Sequence, residues 1–285
     1  MADNRGTMRS PERAFSIGFL TALVSDELVP CEAVLAEKGW RKVSTSLALE
    51  DAGITAWEKR IKGNKVRAYS MAFDDMGQTA SAIETYAFLT RCNPAEIFLV
   101  GIAGSLRNEW VYRRDVVVGK RVICRTQNGV SGSGPCDEYR PHLQQLPAYD
   151  PEVMRTFSAK IARDYLNGSR DREGDEVVHT HFGTIYTWDY VIDSPRVVEK
   201  IVADFPDALC VEMEGGGFLR AIARYSKIHG DKNINGVIVR GISDYASNKE
   251  WNVPIRIDAS RNAMNVAIDL AEWRAERYVT ASSDD

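Results

Sequence analysis

The stretch "ALCVEMEGGGFLRAIARYSKI" (Ala208–Ile228) decides the fold, because it hands a short apolar strand directly over to a helix. The helix is expected over Gly217 to Ile228, and the handover between them carries two glutamates and three glycines. In an extended chain Glu212 and Glu214 face one way, and Val211 and Met213 the other. A plain reading is a solvated turn, or a helix start whose acids are favoured by the helix dipole. A sharper reading is a grip on hydroxyl groups, since a carboxylate can accept two hydrogen bonds from a vicinal diol such as that of ribose. The glycines would then let the chain turn tightly and a ligand lie against bare backbone.

Outward from this stretch, short apolar runs alternate with helical patterns, the signature of a mostly parallel sheet covered on both faces. "FSIGFL" (Phe15–Leu20) is the expected first strand, and a helix follows over Asp26 to Lys38. "ITAWEKRI" and "NKVRAYSMAF", separated by Lys62 and Gly63, read as an antiparallel hairpin. Gln78 to Cys92 is a helix that stops before Pro94. "EIFLVGIAGS" and "DVVVGKRVIC" are strands, as is "EVVHTHFGTIY" further on. Pro151 to Asn167 and Arg196 to Asp204 read as helices, "GVIVRGIS" is the last strand, and Ser260 to Tyr278 is a closing helix. Residues 125 to 150 show no periodicity and hold three of the ten prolines, which suits a lid or a partner-facing loop. The fold class expected is therefore α/β, a single three-layer α/β/α domain around a mixed, mostly parallel twisted sheet. It would span residues 14–279, behind a polar disordered lead-in at 1–13 and ahead of an acidic tail at 280–285.

Composition narrows the function. A length of 285 residues with 44% hydrophobic and 27% charged residues is that of an ordinary soluble domain. The net charge of -4 gives no basic footprint, so no nucleic-acid partner is expected. No apolar run approaches the ~20 residues of a membrane span, and the amino terminus lacks a secretion signal, so no membrane partner is expected either. Five cysteines without a C-x-x-C pair point to a reduced, cytoplasmic chain. His179 and His181 alternate on a strand-like run with no third ligand nearby, so they read as strand histidines rather than a metal site.

Ligands of open α/β sheets gather at the carboxyl ends of the strands. Here "TALVSDE", "GIAGS", "VEMEGGG" and "GISDYAS" occupy such ends. Asp244, after "GIS", suits either a helix cap or a general acid shielded by apolar walls. "GIAGS" is neither a dinucleotide fingerprint nor a phosphate loop, though it lets a ligand approach the backbone.

As an ordered set, "VGIAGSL", "DVVV", "VEMEGGG" and "VRGISDYA" resemble the nucleoside phosphorylase superfamily, in particular its methylthioadenosine/adenosylhomocysteine nucleosidase branch, from about Phe15 to Leu270. The resemblance implies hydrolytic cleavage of the N-glycosidic bond of a purine, adenine-type nucleoside or nucleotide, without metal or cofactor. It implies that Asp244, with Ser243 beside it, protonates the leaving base at N7. Glu214 would hold the ribose hydroxyls with Met213 against the sugar, and Glu212 would lie nearer the attacking water. Ala103 and Gly104 would line the sugar and base. Val191 stands where the family has an aromatic residue under the base, with Tyr190 before it. Glu27 is the candidate base that activates water, with Asp26 and Glu32 as alternatives. A homodimer or hexamer is expected on the same ground.

The phosphorylases of the family carry a Gly-Asp-Pro turn after the first strand, an arginine before the central loop and a serine or threonine within it. This chain has "GFLTALVSDE", Leu99 and Ile102 at those places, which points to water rather than phosphate as nucleophile. A phosphorylase and a non-catalytic nucleoside-binding relative remain the alternatives. On the 5′ side of the sugar, thioether nucleosidases present an apolar pocket, whereas anti-phage nucleosidases of this superfamily accept adenine nucleotides such as ATP. Arg91, Arg113, Arg125, Arg140 and His142 are the basic residues that keep a nucleotide substrate open.

Overall fold

The computed structural model describes residues 15–125, 143–147, 178–230 and 234–283. The expected lead-in over 1–13, most of the aperiodic stretch over 125–150 and the helix over 151–167 lie outside the described residues.

The elements run β1 (Ser16–Thr21), a π-helical turn (Val24–Leu28), α1 (Val29–Glu37), β2 (Arg41–Val43), α2 (Leu47–Glu50), β3 (Thr55–Ile61) and β4 (Asn64–Ala72). They continue through α3 (Gln78–Cys92), β5 (Glu96–Ser105), β6 (Val116–Arg125), β7 (Leu143–Pro147), β8 (Thr180–Thr187) and α4 (Pro195–Asp204). The last are β9 (Ala208–Glu212), α5 (Gly215–Ile228), β10 (Asn235–Tyr245) and α6 (Val253–Ser283). The strands form one mixed sheet in the order β2-β3-β4-β1-β5-β9-β8-β6-β10, with β7 on β6. β10 also pairs back onto β5, so β5, β9, β8, β6 and β10 close into a ring. Strands β4, β1, β5 and β10 lie parallel to their neighbours in that series, which brings their carboxyl ends to one side.

Strand alternation explains the layers. Ile17 and Phe19 of β1, Phe98 and Val100 of β5, and Val237 and Val239 of β10 face α1 and α6. Their intervening neighbours Leu20, Ile97, Leu99 and Ile238 face the opposite way, against Phe88 and Leu89 of α3 and Phe218 and Ile222 of α5. Both faces of the parallel strands are therefore buried, which is why they read as unbroken apolar runs.

Two helices depart from the sequence reading. Helix α5 begins at Gly215, not Gly217, so all three glycines are helical and none has a positive φ. They serve packing rather than a bent backbone: a Cβ on Gly217 would lie 2.0 Å from the Gln78 carbonyl oxygen of α3. A Cβ on Gly216 would likewise press into the Cys124 sulfur at 2.3 Å. Helix α6 begins at Val253 rather than Ser260, where the Asn252 side-chain oxygen caps the Ile255 amide at 3.1 Å and Pro254 occupies the first turn. Its backbone continues to Ser283, into the stretch read as an acidic tail.

Candidate active site

The carboxyl ends of β1, β5, β9 and β10 surround a cavity of about 230 Å³. All ten residues singled out from the sequence line it: Glu27, Ala103, Gly104, Tyr190, Val191, Glu212, Met213, Glu214, Ser243 and Asp244.

Glu27 sits in the π-helical turn after β1 and is almost wholly buried. Its carboxylate accepts the amides of Ala22 (2.7 Å), Leu23 (2.9 Å) and Ile102 (2.9 Å). Burial nevertheless holds its pKa above the usual carboxylate value, against the pull of Arg240 and those amides. A base so placed keeps its affinity for a proton. The two alternatives are engaged elsewhere: Asp26 pairs with Arg256 at 2.7 Å, and Glu32 accepts the Ser70 hydroxyl at 2.7 Å.

Arg240 organises the cluster of carboxylates at the cavity's buried end, and the sequence reading missed it. It is fully buried on β10, its Nη2 donating to Glu212 and, at 3.0 Å, to Glu214. Its Nη1 stands 4.0 Å from Glu27 Oε1 and has no hydrogen-bond partner. That gap is too long for a direct bond and suits a bridging water between guanidinium and carboxylate. One guanidinium thus faces three carboxylates, Glu27, Glu212 and Glu214. Gly101 makes the approach possible, since a Cβ there would lie 2.4 Å from both Arg240 Nη1 and Glu27 Oε1. A lone arginine inside "VIVRGIS" was the available signal, because an unpaired charge on a buried strand is too costly to persist.

The two glutamates of the motif have different surroundings. Glu212 is saturated: it accepts the Thr187 hydroxyl, the Glu214 amide at 3.0 Å, the Gly215 amide at 2.8 Å, and Arg240. It caps α5 and holds Arg240, which leaves it little capacity for a water. Glu214 takes the Gly77 amide at 3.0 Å and Arg240, and its pKa is pushed up to about 7. Burial is the main cause, opposed by Arg240 and reinforced by Glu212 and Glu27.

Asp244 is aimed by a break in the β10–β5 register between Ile242 and Asp244, which sets it opposite Gly104. Bulges of this kind re-aim a side chain at a strand end. Its Oδ2 accepts the Ser243 hydroxyl at 2.7 Å and stands 3.4 Å from Lys249 Nζ, while Oδ1 is buried without a partner.

The mouth is different in kind. Tyr190 and Val191 are more than half exposed, and Trp251 is 72% exposed. Trp251 lies under the Arg256 guanidinium at 4.1 Å. Arg256 and Lys249 also line the cavity, and sequence reasoning had named neither. The basic residues it did name lie elsewhere. Arg113 pairs with Glu250 at 3.0 Å, Arg125 stacks on Trp188 at 3.8 Å, and Arg91 bonds a carbonyl of its own helix. Arg140 and His142 lie outside the described residues.

His181 bonds Asp115 at 2.9 Å, and among the described residues no three His, Cys, Asp or Glu side chains cluster to hold a metal. Cys31, Cys92, Cys124 and Cys210 are free thiols. No described helix is long and apolar enough to cross a membrane.

Comparison with known proteins points the same way. The family model described as the phosphorylase superfamily matches residues 31–273. A 5'-methylthioadenosine/S-adenosylhomocysteine nucleosidase of Staphylococcus epidermidis is 22% identical over 174 residues, covering 61% of this chain and 67% of that protein. The ATP nucleosidase Cap17 of Escherichia coli is 24% identical over 246 residues, covering 81% of this chain and 46% of that longer protein. Among solved structures, the Colwellia psychrerythraea nucleosidase in complex with adenine superposes with a TM-score of 0.63 at 18% identity, over 91% of this chain and 95% of that one.

Proposed function

The chain belongs to the phosphorylase superfamily, and from that premise we propose that it is a nucleosidase hydrolysing the N-glycosidic bond of adenine nucleotides. The observation that carries the hydrolytic part is the gap between Glu27 Oε1 and Arg240 Nη1, flanked by a carboxylate of raised pKa. A water bridging the two would lie between an acceptor that can take its proton and a guanidinium that can hold its oxygen. A phosphate dianion would meet three carboxylates and only one guanidinium, an arrangement that repels it.

The reaction then follows from the residues in place. Glu214 accepts hydrogen bonds from the ribose diol, and Met213 packs beside it. Asp244 delivers a proton to N7 of the purine, so the base leaves as a neutral molecule. Positive charge builds on the ribose, close to Glu214 and Glu27. The water gives its proton to Glu27 as its oxygen bonds to the anomeric carbon. Acid and base contribute roughly 10²–10⁴-fold each to such a reaction.

Nucleotides are favoured over thioether nucleosides by the wall running from Asp244 to Asp26. Lys249, Trp251 and Arg256 form it, joining the base side to the sugar side. In an anti nucleotide the 5′ substituent lies along the C8–N7 edge of the purine, the edge that Asp244 addresses. Among the described residues Arg256 bonds Asp26 through Nε alone, which leaves both terminal nitrogens for an anion. Incubation of the protein with ATP, AMP, adenosine and methylthioadenosine in phosphate-free buffer tests the reading. Adenine is expected fastest from the phosphorylated substrates; faster release from methylthioadenosine would exclude the nucleotide assignment.

A further inference from the structure

We propose that Lys249 is a specificity-determining residue that moves from the acid Asp244 to the 5′-phosphate of the substrate, so that the phosphate itself frees the acid. The proposal rests on the nucleotide reading above and adds a role for the ammonium group within it.

Lys249 is placed rather than merely nearby. Its backbone amide donates to Asp193 at 2.9 Å, and Asn248 bridges back to Tyr245, so the turn after β10 is tied at both ends. From that anchor its side chain, 28% exposed, reaches back to within 3.4 Å of Asp244 Oδ2. Among the described residues no other hydrogen bond or ion pair holds the ammonium. The distance is loose for a charge-assisted hydrogen bond, whose usual length is about 2.7–2.9 Å. A flexible four-carbon stem held by a long, single contact can be drawn to a stronger anion. Ser243, by contrast, holds the same carboxylate oxygen at 2.7 Å and stays with it.

The consequence for chemistry is direct. Asp244 must present its carboxyl group to N7, and the ammonium holds one oxygen of that group, Oδ2, at 3.4 Å. A 5′-phosphate lying along the C8–N7 edge offers Lys249 a doubly charged partner beside Arg256. Once the ammonium has moved, the carboxyl group is released from that contact and delivers its proton to N7 as the glycosidic bond breaks. An unphosphorylated nucleoside leaves Lys249 in place and reacts more slowly even when saturating. Phosphate recognition is thereby read in kcat as well as in KM.

The test compares adenosine with AMP and ATP for the wild type, Lys249→Met and Lys249→Arg, reading kcat and KM for adenine release. In Lys249→Met, kcat/KM for the nucleotides should fall about 10–100-fold, the loss of one charged contact, while kcat for adenosine rises. Lys249→Arg should keep the nucleotide preference, because it keeps the charge. Nucleotide preference unchanged in Lys249→Met would overturn the proposal and leave the nucleosidase reading standing. A loss equal for adenosine and nucleotides would also overturn it, since that is what a structural role gives. No adenine from any substrate with the wild type would remove the nucleosidase reading, and this proposal with it.

Discussion

The sugar side and the mouth of one cavity are built on opposite physical plans. On the sugar side Glu27, Glu212, Glu214 and Arg240 are all at most 4% exposed and bound to one another or to backbone amides. At the mouth, Tyr190, Val191 and Trp251 stand in solvent, and Lys249 hangs on one long contact. Groups that must stabilise a charged transition state gain by being fixed beforehand in a water-poor site. Groups that choose among substrates need room to respond. The contrast teaches that burial fixes the reacting groups while exposure leaves the selecting groups free to respond, with the Lys249–Asp244 contact as the link between them.

The largest effect should come from the acid. Asp244→Asn should lower kcat by about 10²–10⁴-fold, measured as adenine release, with little change in stability. Next is the buried guanidinium: Arg240→Met strands three carboxylates in the interior, and loss of one partner of a buried ion pair costs about 3–5 kcal/mol. Urea denaturation measures it, and a loss below about 1 kcal/mol would mean the sugar side is not locked as described. A smaller loss, about 1–3 kcal/mol, is expected of Gly217→Ala, whose methyl group would overlap the Gln78 carbonyl and push α5 off α3.

A pH experiment separates the two regions more finely. The pKa of Glu214, about 7, lies above that of an unfolded glutamate. Protonation therefore adds stability that is fully present below pH ~4.5 and is lost as pH rises through about 7. Diol binding needs the ionised form, so affinity for a nucleoside should grow as pH rises through about 7. Titration calorimetry between pH 5 and pH 8 should show that rise, and Glu214→Gln should flatten it. The mildest change, Trp251→Ala at the rim, should raise KM a few fold at unchanged kcat.

Burial and period made much of the molecule legible in advance. Helix α3 appears over the expected Gln78–Cys92, because Pro94 and the apolar spacing bound it. The motif residues meet in one cavity because β1, β5 and β10 end on the same side, and β9 crosses the end of β5 antiparallel to it, pairing Val211 with Gly104. The sequence hid what depends on distant contact. Arg240 sits in an apolar run, and only closure of β10 against β5 brings it between the three carboxylates. The glycines of "VEMEGGG" resemble a ligand-binding turn, yet they answer to distant packing, Gly217 to α3, Gly216 to Cys124 of β6 and Gly215 to Ile238 of β10. Lys249 and Trp251 fall in a stretch without strand or helix period before α6, and Arg256 in its opening turns, ahead of the helix expected from Ser260. Their placement comes from tertiary ties to Asp244 and Asp26.

The most direct test of the central account, a buried guanidinium and carboxylate poised around water, is the dependence of adenine release on phosphate. Adenine should form from ATP at full rate in phosphate-free buffer, with a reducing sugar phosphate as the other product and no response to added inorganic phosphate. Release that requires inorganic phosphate and yields a sugar bearing a new 1-phosphate would contradict it.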